Sequence, residues 1–227
     1  MHILDVTETD IGTIYLGRRT VEGIAGWVYE ILIGDDVLMT SLSPFSERAL
    51  STSALAQHSG EAVRVLVGGL GLGYTAQAAL EDQRVEAVRV IEKMDFVIDW
   101  MKAGLLPLSE SFAAERRLRI TQGDVYEFLL GPAEEGYDLI LIDVDHAPDA
   151  PLSKSSKPFY TAAGQHCVAQ HLRPGGLLGV WSEVENEDFA SVLAGVYDTS
   201  HCEEIFWQDH ELPEADFQNL LFFARKA

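Results

Sequence analysis

The sequence predicts an α/β fold, a seven-stranded and mostly parallel sheet with a terminal antiparallel strand, preceded by a small β-rich N-terminal piece. Three observations predict it. A short apolar run, Val65-Leu66-Val67, ends in glycines spaced G-x-G-x-G at Gly69, Gly71 and Gly73, and a helical pattern follows over 75–83. This is how a strand turns into a helix where the backbone must bend tightly and let a ligand approach. The next apolar run, Ala87 to Ile91, ends in Glu92, 19 residues after Gly73, where a carboxylate can accept hydrogen bonds from both hydroxyls of a ribose. From Ala62 onward apolar runs and helical patterns alternate, which implies parallel strands covered by helices on both faces.

Along the chain, residues 1–42 hold short β-type runs at 12–18, 27–33 and 37–40, with Gly34-Asp35-Asp36 as the turn between the last two. Ser43-Pro44 reads as N-cap and first helical residue of a helix reaching about residue 57. Residues 43–227 then form the larger domain. Its strands are expected at 63–67, 86–91, 117–121, 138–142, 176–181, 203–208 and 219–225. Only a polar segment with Pro213 separates the last two, which suggests a terminal antiparallel pair.

At 227 residues and 47% hydrophobic content, one α/β domain with a small appendage is the natural count. Sixteen basic against 36 acidic residues leave a net charge of −20, which excludes nucleic acid and anionic membrane as partners, since both demand a basic face. The same charge suits a cationic substrate or simply solubility. Cys167 and Cys202 have no metal-ligand spacing and read as reduced thiols of a cytoplasmic protein. No apolar run approaches a membrane span, and the N-terminus lacks a signal pattern. His166 and His171 are spaced i, i+5, wrong for one helix face. Trp27, Trp100 and Trp207 are expected in the core or an interface, and Trp181 either packs in the core or flanks a cofactor.

Ligands of open α/β sheets bind at the carboxyl ends of the strands. After the glycine loop and Glu92, the third strand runs into Gln122-Gly123-Asp124, the fourth into Asp143-Val144-Asp145-His146 and the fifth into Trp181-Ser182-Glu183. Four acidic strand ends on one edge point to a site. Asp143 with Asp145 suggests a metal pair only if the strand has already ended, and no metal is expected. His146 stands beside Asp143, and histidine is the side-chain type suited to trading protons.

With these segments in place the chain resembles the spermidine synthase family, within the Rossmann-like class I S-adenosylmethionine-dependent methyltransferase fold. The resemblance runs over nearly the whole chain. It includes the glycine loop, Glu92, Gly123-Asp124-Val125-Tyr126-Glu127-Phe128-Leu129, the strand 137–142 leading to Asp143, Phe159-Tyr160, and Leu172-Arg173-Pro174-Gly175-Gly176. It implies that Gly69, Gly71 and Gly73 pass the sulfonium nucleoside, that Glu92 holds the ribose, and that Asp124 and the Val125 amide read the adenine. It implies Asp143 as general base and cofactor contact, with His146 beside it, and Glu47, Asp145 and Tyr160 toward the acceptor. It further implies S-adenosylmethionine, its decarboxylated form or methylthioadenosine as ligand, and a homodimer. The acceptor would be a small amine or acid, and an incoming amine must lose a proton before it attacks.

The departures are specific. The family's glycine loop carries an aspartate where this chain has Leu72, and a second substrate-binding acid falls on His146. In the family's N-terminal acidic tract, Ser41, Leu42, Phe45 and Ser46 replace the pattern and only Glu47 survives. Putrescine carries two charges that a closed pocket must satisfy, so its turnover is expected to be weak or absent. The expectation is a spermidine synthase-like transferase of aminopropyl or methyl groups, with a small-molecule methyltransferase or a non-catalytic nucleoside-binding paralogue as alternatives.

Overall fold

Four N-terminal strands, β1 (His2–Thr9), β2 (Gly12–Arg19), β3 (Val28–Ile33) and β4 (Asp36–Thr40), form an antiparallel sheet in chain order. The computed structural model describes residues 1–9, 12–34, 36–150, 155–208 and 216–227, so Asp35 of the expected turn and Pro213 lie outside the described residues. Strand β1 escapes the sequence expectation for a physical reason. Its pairing with β2 shifts register between Ile3 and Asp5, a bulge that interrupts the two-residue period. Ile3 and Val6 are exposed and Leu4 alone of the three packs against the core, so no buried stripe marks the strand.

Helix α1 (Phe45–Ala56) begins one residue later than expected. Pro44 takes the cap position without a side-chain hydrogen bond, and Ser43 does not cap. Then come β5 (Val63–Gly68), α2 (Tyr74–Glu81), β6 (Val85–Glu92), α3 (Asp95–Lys102), α4 (Ser109–Ala114), β7 (Leu118–Gln122), α5 (Val125–Leu130) and β8 (Tyr137–Ile142). A short 3-10 turn (Lys157–Tyr160) precedes α6 (Ala162–His171), β9 (Leu172–Ser182), α7 (Glu187–Val196), β10 (Thr199–Gln208) and β11 (Asp216–Arg225).

The last seven strands form one sheet in the order β10-β11-β9-β8-β5-β6-β7. Pairings among β5 to β9 are parallel, and β11 inserts antiparallel between β9 and β10. The mostly parallel sheet and its antiparallel terminal strand therefore stand as the sequence predicted. Burial on both faces explains the unbroken apolar runs. In β8, Leu139 and Leu141 enter one core while Ile140 and Ile142 enter the other, as the two-residue strand period requires. The first core also takes Ile14, Leu16 and Ile31 from the small sheet, together with Trp100. Trp100 Nε1 donates to Asp5 Oδ2 at 2.5 Å, which ties β1 to α3. The small sheet is thus joined to the larger one by a shared core.

Candidate active site

Chain order reverses beside β5, whose neighbours are β6 on one side and β8 on the other. The loops leaving β5 and β8 diverge there and open a crevice at the strands' carboxyl ends. The glycine loop leaves β5 and Asp143 follows β8, with the Asp143 amide donating to the Gly68 carbonyl at 3.2 Å. Gly69 has φ +91°, and a Cβ there would stand 2.6 Å from the Asp143 carbonyl oxygen. A Cβ on Gly71 would meet Met39 Sδ of β4 at 2.7 Å. Glycine is required at Gly69 because the Asp143 backbone approaches so closely, and at Gly71 because φ is +48°, which adds a structural reason to the ligand-based one.

A cavity of about 160 Å³ lies at this crevice. The structure gathers Gly69, Gly71, Gly73, Glu47, Asp143, Asp145 and His146 on its wall. The β8 strand has ended by then, so Asp143 and Asp145 both reach the cavity rim. Asp143 Oδ2 accepts the Thr75 hydroxyl at 2.7 Å. Burial, and next the negative charge of Glu47, push the Asp143 carboxyl up to about 7, while the Thr75 hydrogen bond opposes them. Burial also raises Glu47, whose Oε2 accepts the Ser46 hydroxyl at 2.9 Å. Asp145 is buried and its Oδ2 accepts Tyr126 OH at 2.7 Å and Tyr160 OH at 3.0 Å. Burial, and then Tyr160 and Asp145, lift the Tyr126 phenol; burial and Asp145 lift Tyr160, so both remain donors. His146 is exposed, and its carbonyl accepts the Glu183 amide at 2.8 Å.

Glu92, Asp124, Val125 and Tyr160 do not line the cavity. Glu92 sits under the glycine loop, buried, with burial raising its pKa against the backbone amides of Leu70, Met94, Gly71 and Lys93. Asp124 caps α5, accepting the Tyr126 amide at 2.9 Å on Oδ1. Its Oδ2 meets Lys93 Nζ at 3.0 Å and Ser155 Oγ at 2.8 Å. Burial works against its charge, but Lys93, Ser155 and the Tyr126 amide outweigh it and hold Asp124 below its ordinary value. Val125 is buried against Gly68. Tyr160 touches the cavity's lining through Asp145, whose Oδ2 accepts its hydroxyl.

Three hydroxyls hold the cavity's aspartates, and of these sequence reasoning named Tyr160 but missed Thr75 and Tyr126. Thr75 stands two residues past Gly73, in the first turn of α2, so the glycine motif pointed at it. Tyr126 lies inside the quoted 123–129 segment but carried no role. Leu38 and Met39 of β4 also line the cavity, and nothing local in 37–40 announces that. Leu72 is 4% exposed and lines the wall as part of the apolar core. Ser41 Oγ accepts the Tyr29 amide at 2.8 Å. Trp181 stands on the cavity wall with its indole N–H buried and without an acceptor among the described residues. Among those residues no cluster of His, Cys, Asp and Glu has metal-site geometry, and no helix is long and apolar enough to cross a membrane.

No protein-family model matches the chain. It is 28% identical to putrescine N-methyltransferase 2 of Nicotiana tabacum over 120 residues, 53% of this chain and 32% of that protein. It is 29% identical to spermine synthase of Arabidopsis thaliana over 143 residues, 60% of this chain and 38% of that protein. The match thus spans about a third of the length of these curated relatives. Among solved structures, a spermidine synthase in complex with the transition-state analogue AdoDATO aligns with all of this chain and 74% of its own, at TM-score 0.77 and 18% identity. Spermidine synthase from Thermotoga maritima aligns at TM-score 0.73 and 17% identity. The fold is therefore that of the spermidine synthases, and the resemblance read from the sequence holds in the relatives as well.

Proposed function

We propose that the chain is a spermidine synthase-like transferase that moves an aminopropyl or methyl group from a sulfonium nucleoside to a small amine, with Asp143 as general base. One observation carries the reading: a carboxyl raised to about 7, at the mouth of the fourth core strand, on the wall of a cavity that Glu47 and Asp145 also line. A base works best when its pKa lies near the operating pH. Asp143 takes the proton that leaves the acceptor's ammonium nitrogen, and the neutral amine is then held for attack. Glu47 on the same wall favours a cationic acceptor, while Asp145 is already engaged by Tyr126 and Tyr160. S-adenosylmethionine, or its decarboxylated form, supplies the electrophilic carbon and a thioether leaving group. The buried Trp181 N–H without an acceptor and the acidic ends of successive strands fit such a ligand, with Glu92 toward the ribose, Asp124 and the Val125 amide toward the adenine.

Leu38, Met39 and Leu72 make part of the wall apolar, and none of Leu72, His146, Ser41 and Leu42 is a carboxylate. This supports an acceptor with one ammonium near Asp143 over putrescine, whose second charge needs its own partner. A homodimer belongs to the same reading through the family resemblance; sedimentation giving a monomer at micromolar concentration removes it. The function is tested by incubating each nucleoside with a panel of monoamines, diamines and small acids. Methylthioadenosine release marks aminopropyl transfer and S-adenosylhomocysteine marks methyl transfer. Neither product with any acceptor contradicts the enzyme reading and leaves nucleoside binding alone.

A further inference from the structure

Asp143 is the group on which the proposed chemistry turns, and among the described residues one side-chain hydroxyl donates to it. Thr75 is 5% exposed in the first turn of α2, and its hydroxyl donates to Asp143 Oδ2 at 2.7 Å. Thr75 is itself anchored. Ser51 of α1, fully buried, donates its hydroxyl to the Thr75 carbonyl at 2.6 Å. Threonine is also stiff about χ1, so a fixed backbone fixes its oxygen. Among the described residues only Oδ2 of Asp143 accepts a side-chain hydrogen bond, which leaves Oδ1 as the oxygen that receives a proton.

We infer that Thr75 is a positioning residue that orients the Asp143 carboxyl and governs when it takes up a proton, an inference that rests on the reading of Asp143 given above. The groups facing Asp143 are few. Glu47 comes from α1, Tyr74 from α2 beside Thr75, and Asp145 and His146 from the loop after β8; the glycine loop, Leu38 and Met39 of β4 and Trp181 of β9 bring no titratable group. Glu47 favours the protonated carboxyl by repulsion, and burial acts in the same sense. The Thr75 hydroxyl favours the carboxylate, because a donor aimed at an oxygen stabilises its charged form. Removing that donor shifts the balance toward the acid, and the base is then lost at neutral pH.

The test is the titration of Asp143 itself, followed by carbon-13 NMR of aspartate-labelled protein, with its resonance identified by its loss in Asp143→Asn. Thr75→Val keeps the shape and removes the hydroxyl, and Thr75→Ala serves if the valine variant does not fold. Both are expected to raise the midpoint by about one pH unit or more, since a hydrogen bond to a charged group is worth about 1.5 kcal/mol or more. Thr75→Ser should return the midpoint to within a few tenths of a unit. An unchanged midpoint in the valine and alanine variants overturns the inference, as does a serine variant that fails to restore it. The acid limb of the pH profile of kcat/KM, measured on the best acceptor, should move with the midpoint. A shifted titration with an unmoved limb supports the Thr75 contact and removes Asp143 from the role of base, so the two failures are distinct.

Discussion

Glu92 Oε2 accepts the Leu70 amide at 2.7 Å, while its Oε1 accepts the Met94 amide at the same distance. One buried carboxylate thus joins the end of β6 to the glycine loop that leaves β5. The residue read from sequence as a ribose acceptor is also a brace for the loop, because a loop with positive φ at Gly69, Gly71 and Gly73 exposes amides that need an acceptor.

Replacing Glu92 with alanine should therefore have two effects. Leaving the Leu70 and Met94 amides without their acceptor should cost about 1 to 3 kcal/mol of stability. Affinity for methylthioadenosine or S-adenosylmethionine should fall roughly tenfold or more. Urea denaturation and calorimetry read the two separately. Unchanged stability contradicts the brace, and unchanged affinity contradicts the ribose role. Wild-type protein with ligand at 100 times its dissociation constant should gain about 2.7 kcal/mol.

Asp143 predicts a pH dependence of stability. The unfolded chain loses the proton near pH 4, whereas the folded protein keeps it to about 7. Between those values the folded state binds more protons, so stability falls as pH rises through the window, and the loss is complete above it. Asparagine keeps an acceptor for Thr75 without the charge. Asp143→Asn should match wild type near pH 4 and exceed it at pH 8 by up to about 4 kcal/mol, read by urea denaturation. A variant no more stable than wild type at pH 8 contradicts the raised carboxyl.

The tyrosines around Asp145 make a third case. Tyr126→Phe removes the 2.7 Å donor from a buried carboxylate, and Tyr160→Phe removes the 3.0 Å donor. Each should cost about 1 to 3 kcal/mol of stability. The double variant should cost more than the sum, since the remaining tyrosine partly covers for the first loss. Strictly additive effects would mean that the two hydroxyls do not share Asp145.

The legible parts of this molecule were those with a local signature. The runs before Gly69 and Glu92 are buried on both faces and read as strands without help. Asp143 was legible because β8 is apolar to its end. Strand β1 was not, because its bulge interrupts the period and its apolar Ile3 and Val6 are exposed. Nor were Leu38 and Met39, which reach the cavity only because the small sheet packs across the larger domain. The Thr75 hydroxyl meets Asp143 across a separation of 68 residues, which no short window reveals. Lys93 and Ser155, both on Asp124, join three separate stretches in the same way.

The central claim is that Asp143 removes the acceptor's proton. Its most direct test is kcat/KM for the best amine in the panel, on wild type and Asp143→Asn, across pH 5 to 9. A positioned base contributes about a hundredfold to ten-thousandfold. Wild type should lose activity below about pH 7 as Asp143 protonates. The asparagine variant should be slower by at least about a hundredfold near neutral pH, and should lack that acid limb. An asparagine variant as fast as wild type, with the same pH profile, contradicts the account.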